Sequence, residues 1–303
     1  MPRFQLYAAL AASIIGVSFS AVLNRLSASP ALVINLYRVA FALLLLAPVA
    51  VRPTLGALRR APARDLLACL AAGTMLALHL MAWTTSLRLT SIASAVILVT
   101  SDPLFVMAAS FLVFRERVPA RAMAWAFLAM LGAVAVGAND WRGGPAPLLG
   151  DLLALAGAFL MAGYLIIGRG VRRRLELLPY VFLVYLACAA WLLLGCLLTR
   201  TPLGPYPARE WGLFLLLALL PTLLGHTVFN WALAYVSASA VAVTLLGEPV
   251  GAMALAAVIL GEYPGVVQVA GGAAVLLGLY RFVRSSVGRS TGRRGEDNMA
   301  RRG

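Results

Sequence analysis

Charged side chains are scarce in this 303-residue sequence. Asp, Glu, Lys and Arg together make up 12% of it, whereas hydrophobic residues make up 62%. A soluble domain carries about 25% charged residues, so this chain has too few to cover the surface of a globule in water. The scarcity excludes a soluble enzyme, a disordered chain and a disulfide-stabilised scaffold. Together with a mean hydropathy of +0.92, it predicts a polytopic membrane protein.

Lysine is absent, and all 25 basic residues are arginine. The absence excludes a P-loop, which needs a lysine on the phosphates, and an enzyme that forms a Schiff base on a lysine amine. The net charge of +14 is spread over short connections and a C-terminal tail rather than gathered into one basic domain. We therefore expect no nucleic-acid partner. We interpret the arginines as groups that contact anionic lipid and that determine the membrane topology.

Cysteine and histidine are also few. Cys69, Cys188 and Cys196 lie within apolar stretches, match no metal-ligand spacing and are odd in number, so we predict buried free thiols. His79 and His226 are the only histidines, and no cysteine lies beside either of them. We therefore predict no bound metal and no cofactor.

Ten apolar stretches are each long enough, at about 20 residues, to cross the hydrocarbon of a bilayer. Their interiors are rich in Leu, Ala and Val and show no period-two alternation, which favours close-packed helices over a membrane barrel. The sequence thus predicts an all-α polytopic membrane protein whose first stretch, lacking a clear cleavage site, is retained. The predicted spans are Gln5–Arg25, Pro30–Val51, Leu66–Leu87, Ile92–Phe114, Ala120–Ala138, Leu152–Gly168, Leu178–Leu198, Trp211–Tyr235, Ala238–Leu260 and Val266–Val283.

The distribution of arginine predicts the orientation. Nineteen arginines lie on the side of the membrane that holds the N-terminus, five lie on the opposite side, and Arg38 lies inside the second span. Positively charged loops stay in the cytoplasm, so both termini are predicted to be cytoplasmic, which agrees with an even number of spans. Arginine-only usage with abundant Ala and Gly is typical of GC-rich bacterial genomes, which indicates a bacterial inner (plasma) membrane.

The chain is similar to itself at an offset of about 146 residues. Each half holds five spans, an odd number, so the second half enters the membrane upside down; such inverted repeats are typical of secondary transporters. We predict a first repeat over residues 1–139, a connecting loop over 140–150, a second repeat over 151–284 and a disordered basic tail over 285–303. The matched positions are Asp102-Pro103 with Glu248-Pro249, Glu116 with Glu262, and His79 with His226 to within one residue.

The repeated motifs resemble those of the drug/metabolite transporter superfamily, EamA type. The resemblance covers roughly residues 5–283 and, through His79, is similar to the YddG-type amino-acid exporters. It implies a ten-helix basket around a central cavity that exports amino acids and related metabolites. The matching stretches are Leu245–Val250 and Val258–Glu262 with Gly271 and Gly278, and, in the first half, Thr100–Phe105 with Glu116, Gly132 and Arg38.

Polar and aromatic side chains inside the spans are the candidates for substrate binding, because ionisable groups in the hydrocarbon cost about 2.5–3.5 kcal/mol. Residues spaced by four share one face of a helix. One such stripe lies on the third span and one on the eighth. Their members are Met75, His79 and Trp83, and Thr222, His226 and Asn230. Each histidine is interpreted either as a cavity-lining group that binds a carboxylate or a proton, or as a group bonded within the bundle.

Arg38 also has two interpretations. It binds a substrate carboxylate through its bidentate fork, or it has a structural role and bonds a backbone carbonyl or a carboxylate of the protein. Tyr164 on the sixth span is predicted to line the same cavity.

Asp102-Pro103 and Glu248-Pro249 lie in the middle of the fourth and ninth spans. Proline removes a backbone hydrogen bond and kinks a helix, so we predict a hinge or gate in each half, with the carboxylate as a proton or cation site. The alternative is a buried acid paired with Arg38 or with a helix end. Glu116 and Glu262, at span ends, are expected to cap helices or to pair with nearby charges.

The predicted function is secondary export of small metabolites, most specifically amino acids with aromatic or neutral side chains, by alternating access. Two alternatives stay open: export of drugs or cationic compounds, held by aromatic faces such as Trp83, and, more remotely, an intramembrane enzyme. The sequence has no Gly-x-Ser-x-Gly elbow and no His-Glu-x-x-His motif, so we expect no catalytic residues. The expected partners are a small-molecule substrate and the lipid bilayer, with a monomer as the simplest oligomeric state.

Overall fold

The computed structural model describes residues 3–114, 120–139, 145–236 and 238–287, and helices fill nearly all of these ranges. Seven of the described helices have the length and hydropathy of a membrane span, and three shorter apolar helices bring the number of spans to ten. The predicted ten-helix architecture is confirmed. Spans 1 to 10 are Arg3–Leu26, Ala31–Arg60, Ala63–Leu89, Ile92–Val99 with Asp102–Phe114, Ala120–Asn139, Pro147–Arg172, Leu177–Leu198, Ala208–Ala232, Ala238–Thr244 with Leu245–Gly247 and Glu248–Leu260, and Val266–Val287.

The outer surface of the bundle is apolar and its interior holds polar groups. Large apolar side chains such as Val258 and Leu44 are 85% and 67% exposed, whereas Asn35, Arg38 and Asp102 are buried. A soluble protein has the reverse distribution. An exposed apolar surface of this extent fits a protein surrounded by lipid.

Packing between the two halves follows a pseudo-twofold axis. Span 2 packs on span 7 and span 5 packs on span 10, so each pair joins equivalent spans of the two halves. Under the repeat, spans 3, 4 and 6 are equivalent to spans 8, 9 and 1. Span 3 packs on span 6, and span 8 packs on span 1. Span 4 also packs on span 6, and span 9 also packs on span 1. Exchanging the halves therefore reproduces the packing. Since each half crosses the membrane five times, the repeats are inverted, as predicted.

The helices of spans 4 and 9 are interrupted at equivalent positions. In span 4 one helix ends at Val99 and a second begins at Asp102; in span 9 a 3₁₀ turn, Leu245–Gly247, precedes a helix that begins at Glu248. The following prolines, Pro103 and Pro249, therefore lie in the first turn of a new helix, where their missing N–H costs no intrahelical bond. The predicted kink of span 4 is thus a break between two helical segments, whereas span 9 stays helical through its 3₁₀ turn.

Span 8 contains a π-helix, Ala218–Thr227, with Pro221 inside it. Its wider turn shows in side-chain bonds that reach back five residues: Thr222 Oγ1 donates to Leu217 O at 2.8 Å, and Thr227 Oγ1 donates to Thr222 O at 3.2 Å. π-Helical segments occur frequently at functional sites. The stripe of Thr222, His226 and Asn230 was predicted from the spacing of an α-helix. In the wider π-helix, residues four apart no longer lie on one face.

Several sequence expectations can be compared with these helices. Span 2 continues to Arg60, well beyond the predicted end at Val51. Its intrahelical hydrogen bonds continue where the hydropathy falls, and the helix ends because the residue before Pro62 leaves the helical region.

The three cysteines are buried free thiols, as predicted. The predicted tail lies almost entirely outside the described residues, as do Glu116 and residues 140–144 of the predicted connecting loop, whereas span 6 already begins at Pro147.

Spans 5 and 10 meet through glycines. A β-carbon on Gly271 would lie 2.8 Å from Val136 Cγ2 and 2.9 Å from Gly132 O, and one on Gly132 would lie 2.6 Å from Gly271 O. The two backbones therefore approach more closely than any side chain permits, as in other small-residue helix contacts in membranes.

We expect Gly271→Ala to destabilise the protein by about 1–3 kcal/mol, because its methyl group overpacks this contact and forces the backbones apart. Thermal unfolding in detergent measures the effect as a lower Tm. Gly56→Ala is the matched control, since nothing lies within 4 Å of its added methyl group. Equal Tm values for the two variants would contradict the contact.

Candidate functional site

A small central cavity of about 40 Å³ lies between the two halves. Arg38 is seven residues inside span 2, which begins at Ala31, and His79 is ten residues before the end of span 3. At 1.5 Å per residue these positions are about 10–15 Å from one face, near the middle of a core about 30 Å thick. The lining residues are Val17, Ser20, Arg38, His79, Leu80, Trp83, Val99, Thr100, Asp102, Met161, Pro221, His226, Phe229, Leu245 and Glu248.

Arg38 is the cationic group of the cavity, and it is only 1% exposed. Its Nε donates to Thr222 Oγ1 at 2.6 Å, and Thr222 in turn donates to Leu217 O. Arg38 Nη1 has no hydrogen-bond partner in the protein. A buried guanidinium with one unpartnered nitrogen, held in place through its Nε, is arranged to receive an anionic group.

The two histidine rings lie across the cavity from each other, with centroids 6.2 Å apart. His79 Nδ1 lies 2.9 Å from Gly157 O. A carbonyl oxygen only accepts, so Nδ1 carries the proton and Nε2 of the neutral ring is left as an acceptor. His226 Nδ1 is buried and has no partner in the protein.

Asp102 and Glu248 supply the acidic groups of the cavity wall. Each begins the second helical segment of its span, where the helix dipole favours a negative charge. Asp102 Oδ2 has no hydrogen-bond partner, and neither carboxylate forms an ion pair with Arg38. Of the two partners in the alternative interpretation, Arg38 forms no ion pair with either acid among the described residues, whereas both acids do lie at a helix start.

Apolar side chains complete the wall. Trp83 is 3% exposed, and its Nε1 donates to Ser20 Oγ at 3.4 Å. Met161, Phe229 and Leu245 line the cavity with it. The cavity thus combines a cationic group, two acidic groups and an apolar surface.

Not every predicted binding residue lies at the cavity wall. The predicted residues that line the cavity are Arg38, His79, Trp83, His226, Asp102 and Glu248. Those that do not line it are Met75, Tyr164, Thr222, Asn230, Pro103 and Pro249. Thr222 bonds Arg38, and Asn230 bonds the Tyr164 hydroxyl and His226 O. The π-helix explains the difference on span 8, because residues spaced by four no longer share a face there.

Sequence reasoning missed several lining residues. Ser20, Met161 and Phe229 line the cavity, but apolar residues and serine are common in every span and carry no distinguishing spacing. Pro221 offered a signal, since a proline within a span indicates a local departure from the α-helix.

At the end of the bundle that holds the termini, hereafter the terminal end, an ion pair joins the two halves. Arg174 in the connection between spans 6 and 7 donates to Asp65 at the start of span 3, with Nη2 to Oδ1 at 2.7 Å and Nε to both oxygens at 3.1 Å. These hydrogen bonds raise the pKa of the Arg174 guanidinium above its usual value. The contact ties the second half to the first.

At the opposite end, a carboxylate ties the first half to the second. Glu210, at the start of span 8, accepts from Ser27 Oγ, from Ser29 Oγ at 2.6 Å and from Ala28 N at 3.1 Å, all in the connection between spans 1 and 2. Arg88 donates to the backbone carbonyl of Ser29 in the same connection. Glu210 is 6% exposed.

The two end contacts are equivalent under the repeat. The offset of about 146 residues relates Asp65 to Glu210 within one residue, and it relates residues 27–29 to 173–175, which include Arg174. Each half therefore offers an acidic residue that holds the first connection of the other half. Both contacts are formed in this structure.

Glu262 behaves as the sequence predicted. Its Oε2 lies 3.5 Å from Arg25 Nη2, and its Oε1 accepts from Ile92 N at 2.8 Å, which caps the first helix of span 4. Arg25 also donates to Thr90 O at 3.1 Å. These contacts add to the closure of the opposite end.

Ten helices in two inverted halves around a mid-membrane cavity define a membrane transporter of small molecules. The chain belongs to the EamA-like transporter family, whose model matches residues 3–138 and 148–284. The predicted superfamily is thereby confirmed, and membership of a transporter family agrees with the expectation that the chain is not an enzyme.

Comparison with solved structures supports the same fold. One similar structure, described only as a crystal structure of a protein, has a TM-score of 0.68 and 18% sequence identity. The match covers 95% of this chain and 100% of the other. No curated protein matches the sequence at a significant level.

Proposed function

We propose that the protein is a secondary transporter that exports neutral and aromatic amino acids across a bacterial inner membrane, with both termini in the cytoplasm. One observation carries this proposal: the cavity lining includes an unpartnered cationic nitrogen, Arg38 Nη1, and an unpartnered acidic oxygen, Asp102 Oδ2. A zwitterion satisfies both, because it brings one carboxylate and one ammonium group. Leaving such buried groups unpaired costs about 1–3 kcal/mol each, more for charged groups.

In the proposed complex, Arg38 Nη1 donates to the substrate carboxylate. Asp102 and Glu248 accept from the substrate ammonium group, and His79 Nε2 offers a further acceptor. The substrate side chain packs on Trp83 and the other apolar lining residues, which favours uncharged substrates.

Alternating access supplies the transport step. Opening the terminal-end contact exposes the cavity to one compartment, and opening the opposite-end contact exposes it to the other. The break at Asp102-Pro103 and the 3₁₀ turn before Pro249 are proposed as the hinges, because regular α-helical hydrogen bonding is interrupted at both. The carboxylates of both breaks line the cavity, so substrate binding and hinge movement involve the same residues.

Flux measurements in proteoliposomes test the proposal. Purified protein should transport labelled leucine or phenylalanine, and unlabelled amino acid should compete for it. The methyl ester lacks the carboxylate and the N-acetyl derivative lacks the ammonium group, so both should compete at least about tenfold more weakly. Strong competition by both derivatives would contradict recognition of a zwitterion.

Export of cationic compounds is the second candidate. The two acidic groups and the Trp83 face favour it, since both attract a cation, whereas the buried Arg38 disfavours it. The same assay separates the candidates when a quaternary ammonium compound is included. Transport of that compound without transport of amino acids would replace the first proposal by the second.

We expect Asp102→Asn to abolish the response of transport to a proton gradient, if Asp102 is the proton site of the cycle. The amide keeps the shape of the side chain but cannot exchange a proton. Flux with and without an imposed pH gradient measures the change, and exchange without a gradient serves as the control. A variant that is still driven by the gradient would remove Asp102 from that role.

A further inference from the structure

Two exposed arginines share one buried carboxylate at the terminal end. Asp65 Oδ1 lies 2.7 Å from Arg174 Nη2 and 4.0 Å from Arg64 Nε. The side chains of Arg64 and Arg174 are 75% and 48% exposed, whereas that of Asp65 is buried. The ion pairs of the described residues give these two guanidinium groups only this one carboxylate. One positive charge of the pair is therefore not neutralised.

Both guanidinium groups keep hydrogen-bond donors that the protein does not use. Arg174 bonds Asp65 through Nε and Nη2, so its Nη1 takes no part in that contact. Arg64 has only the 4.0 Å ion pair, which is too long for a hydrogen bond, within the part of the chain that the structure describes. A guanidinium carries five N–H donors in a planar arrangement that fits the oxygens of a phosphate. The exposed edges of both arginines can therefore bind a phosphate group.

The surrounding chain adds positive charge. Arg64 follows the connection between spans 2 and 3, and Arg174 lies in the connection between spans 6 and 7. Arginines outnumber acids in both places, so the local charge attracts an anion. The charged residues of positions 59–65 and 172–176 are Arg59, Arg60, Arg64, Asp65, Arg172, Arg173, Arg174 and Glu176.

An exposed apolar surface begins directly below Arg64 on span 3. Leu67 and Leu70 follow it at intervals of three residues, so they lie towards the same side of the helix, and they are 64% and 48% exposed. At 1.5 Å per residue they are about 5 and 9 Å deeper than Arg64, within the half-thickness of about 15 Å that one leaflet occupies. A molecule whose phosphate lies at Arg64 can therefore place an acyl chain on these leucines.

We propose that an anionic phospholipid binds at the terminal end, with its phosphate at Arg64 and Arg174 and an acyl chain on Leu67 and Leu70. Its single negative charge matches the one positive charge that Asp65 leaves over. A zwitterionic phospholipid brings a cation into the same basic region, and free phosphate has no chain to cover the leucines. The proposal narrows the general expectation of contact with anionic lipid to one site.

Native mass spectrometry of the protein purified in detergent tests the proposal, because it counts the lipid molecules that stay bound. Phosphatidylglycerol and phosphatidylcholine with identical acyl chains are added separately at increasing concentration. An arginine near a membrane surface changes affinity for anionic lipid by about fivefold, so the first phosphatidylglycerol should bind with a Kd at least about fivefold lower. Equal Kd values for the two lipids would overturn the proposal.

A pair of arginine variants locates the lipid. Arg64→Gln loses no hydrogen bond to the described residues and should raise the Kd of phosphatidylglycerol by about fivefold, with the Kd of phosphatidylcholine unchanged. Arg200→Gln removes one exposed arginine at the opposite end and should leave both Kd values unchanged. Equal effects of the two substitutions, or no effect of Arg64→Gln, would overturn the site. The Tm in detergent shows that both variants are folded.

Glycerol 3-phosphate separates a lipid site from a site for free phosphate. It carries the phosphate without acyl chains, so a large excess should leave phosphatidylglycerol bound. Displacement of the lipid would overturn the role of Leu67 and Leu70. None of these measurements uses a transported substrate, so their outcome is independent of the amino-acid proposal.

Discussion

Arg38→Met should lower amino-acid flux by about 100-fold or more while the protein stays folded. Removing one partner from a buried, hydrogen-bonded charge pair costs about 2–5 kcal/mol, and each 1.4 kcal/mol corresponds to a factor of about ten. Methionine fills similar space, and the Thr222 hydroxyl keeps its bond to Leu217 O, so no new unpaired group is left on that side. Initial flux in proteoliposomes and thermal unfolding in detergent measure the two effects separately.

Two further substitutions identify the cause of this loss. Arg38→Lys keeps the charge but loses the planar guanidinium and the bond from Nε to Thr222. Flux should therefore fall by about tenfold, which is less than in Arg38→Met. Arg52→Gln removes an exposed arginine from the same span and should leave flux unchanged. In the Arg38→Met variant, the methyl ester should compete as well as the parent amino acid. The reason is that the guanidinium, which distinguishes a carboxylate from an ester, is gone. Unchanged flux in Arg38→Met would leave Arg38 only a structural role.

Glu210→Gln should shift the conformational equilibrium towards states open at the opposite end by about 30-fold. The carboxylate accepts three hydrogen bonds from the connection between spans 1 and 2, and hydrogen bonds to a charged group contribute about 1.5–3 kcal/mol each. The glutamine keeps one acceptor oxygen and loses the charge. The reaction rate of a cysteine at Ser20, which lines the cavity, measures the shift when a water-soluble thiol reagent is added from that side.

Asp65→Asn is the matched variant at the other end and should shift the equilibrium the opposite way. Its effect should be only a few-fold, because Arg174 is 48% exposed and water competes for its hydrogen bonds. Both variants are made after replacing Cys69, Cys188 and Cys196 with alanine, so that Ser20→Cys is the single thiol. If both variants raised the reaction rate from the same side, the two contacts would not be the gates of alternating access.

The difference between these two contacts has a physical basis in their surroundings. Glu210 bonds neutral hydroxyls and a backbone amide within a buried connection, whereas Asp65 bonds a charged side chain at the edge of the bundle. The two contacts occupy equivalent positions of the inverted repeat, so they lie at opposite ends of the bundle. Each has a different bonding partner. The proposed cycle is accordingly asymmetric, with the opposite end held closed more strongly.

The hinge positions show how far local sequence can lead. The spacing of Asp102-Pro103 and Glu248-Pro249 predicted an interruption at equivalent depth in each half; the helix breaks there in span 4 and passes through a 3₁₀ turn in span 9. Proline acts on its own backbone and on the preceding turn, so its effect is local and visible in sequence. The movement assigned to these breaks stays a prediction.

The number of spans, the inversion of the two halves and the family were determined by the sequence itself. They depend on hydropathy over about 20 residues and on an odd number of crossings per repeat, both of which are local or additive along the chain. The same holds for the buried cysteines.

The assembly of the site was decided only by the tertiary structure. Arg38 meets Thr222 across 184 positions of the chain, and Asp65 meets Arg174 across 109. No periodicity within one helix encodes such contacts, because they depend on how spans of different halves pack. The π-helix of span 8 added a second effect: it rotated Thr222 and Asn230 out of the line predicted for an α-helix, so that one bonds Arg38 and the other faces Gly168.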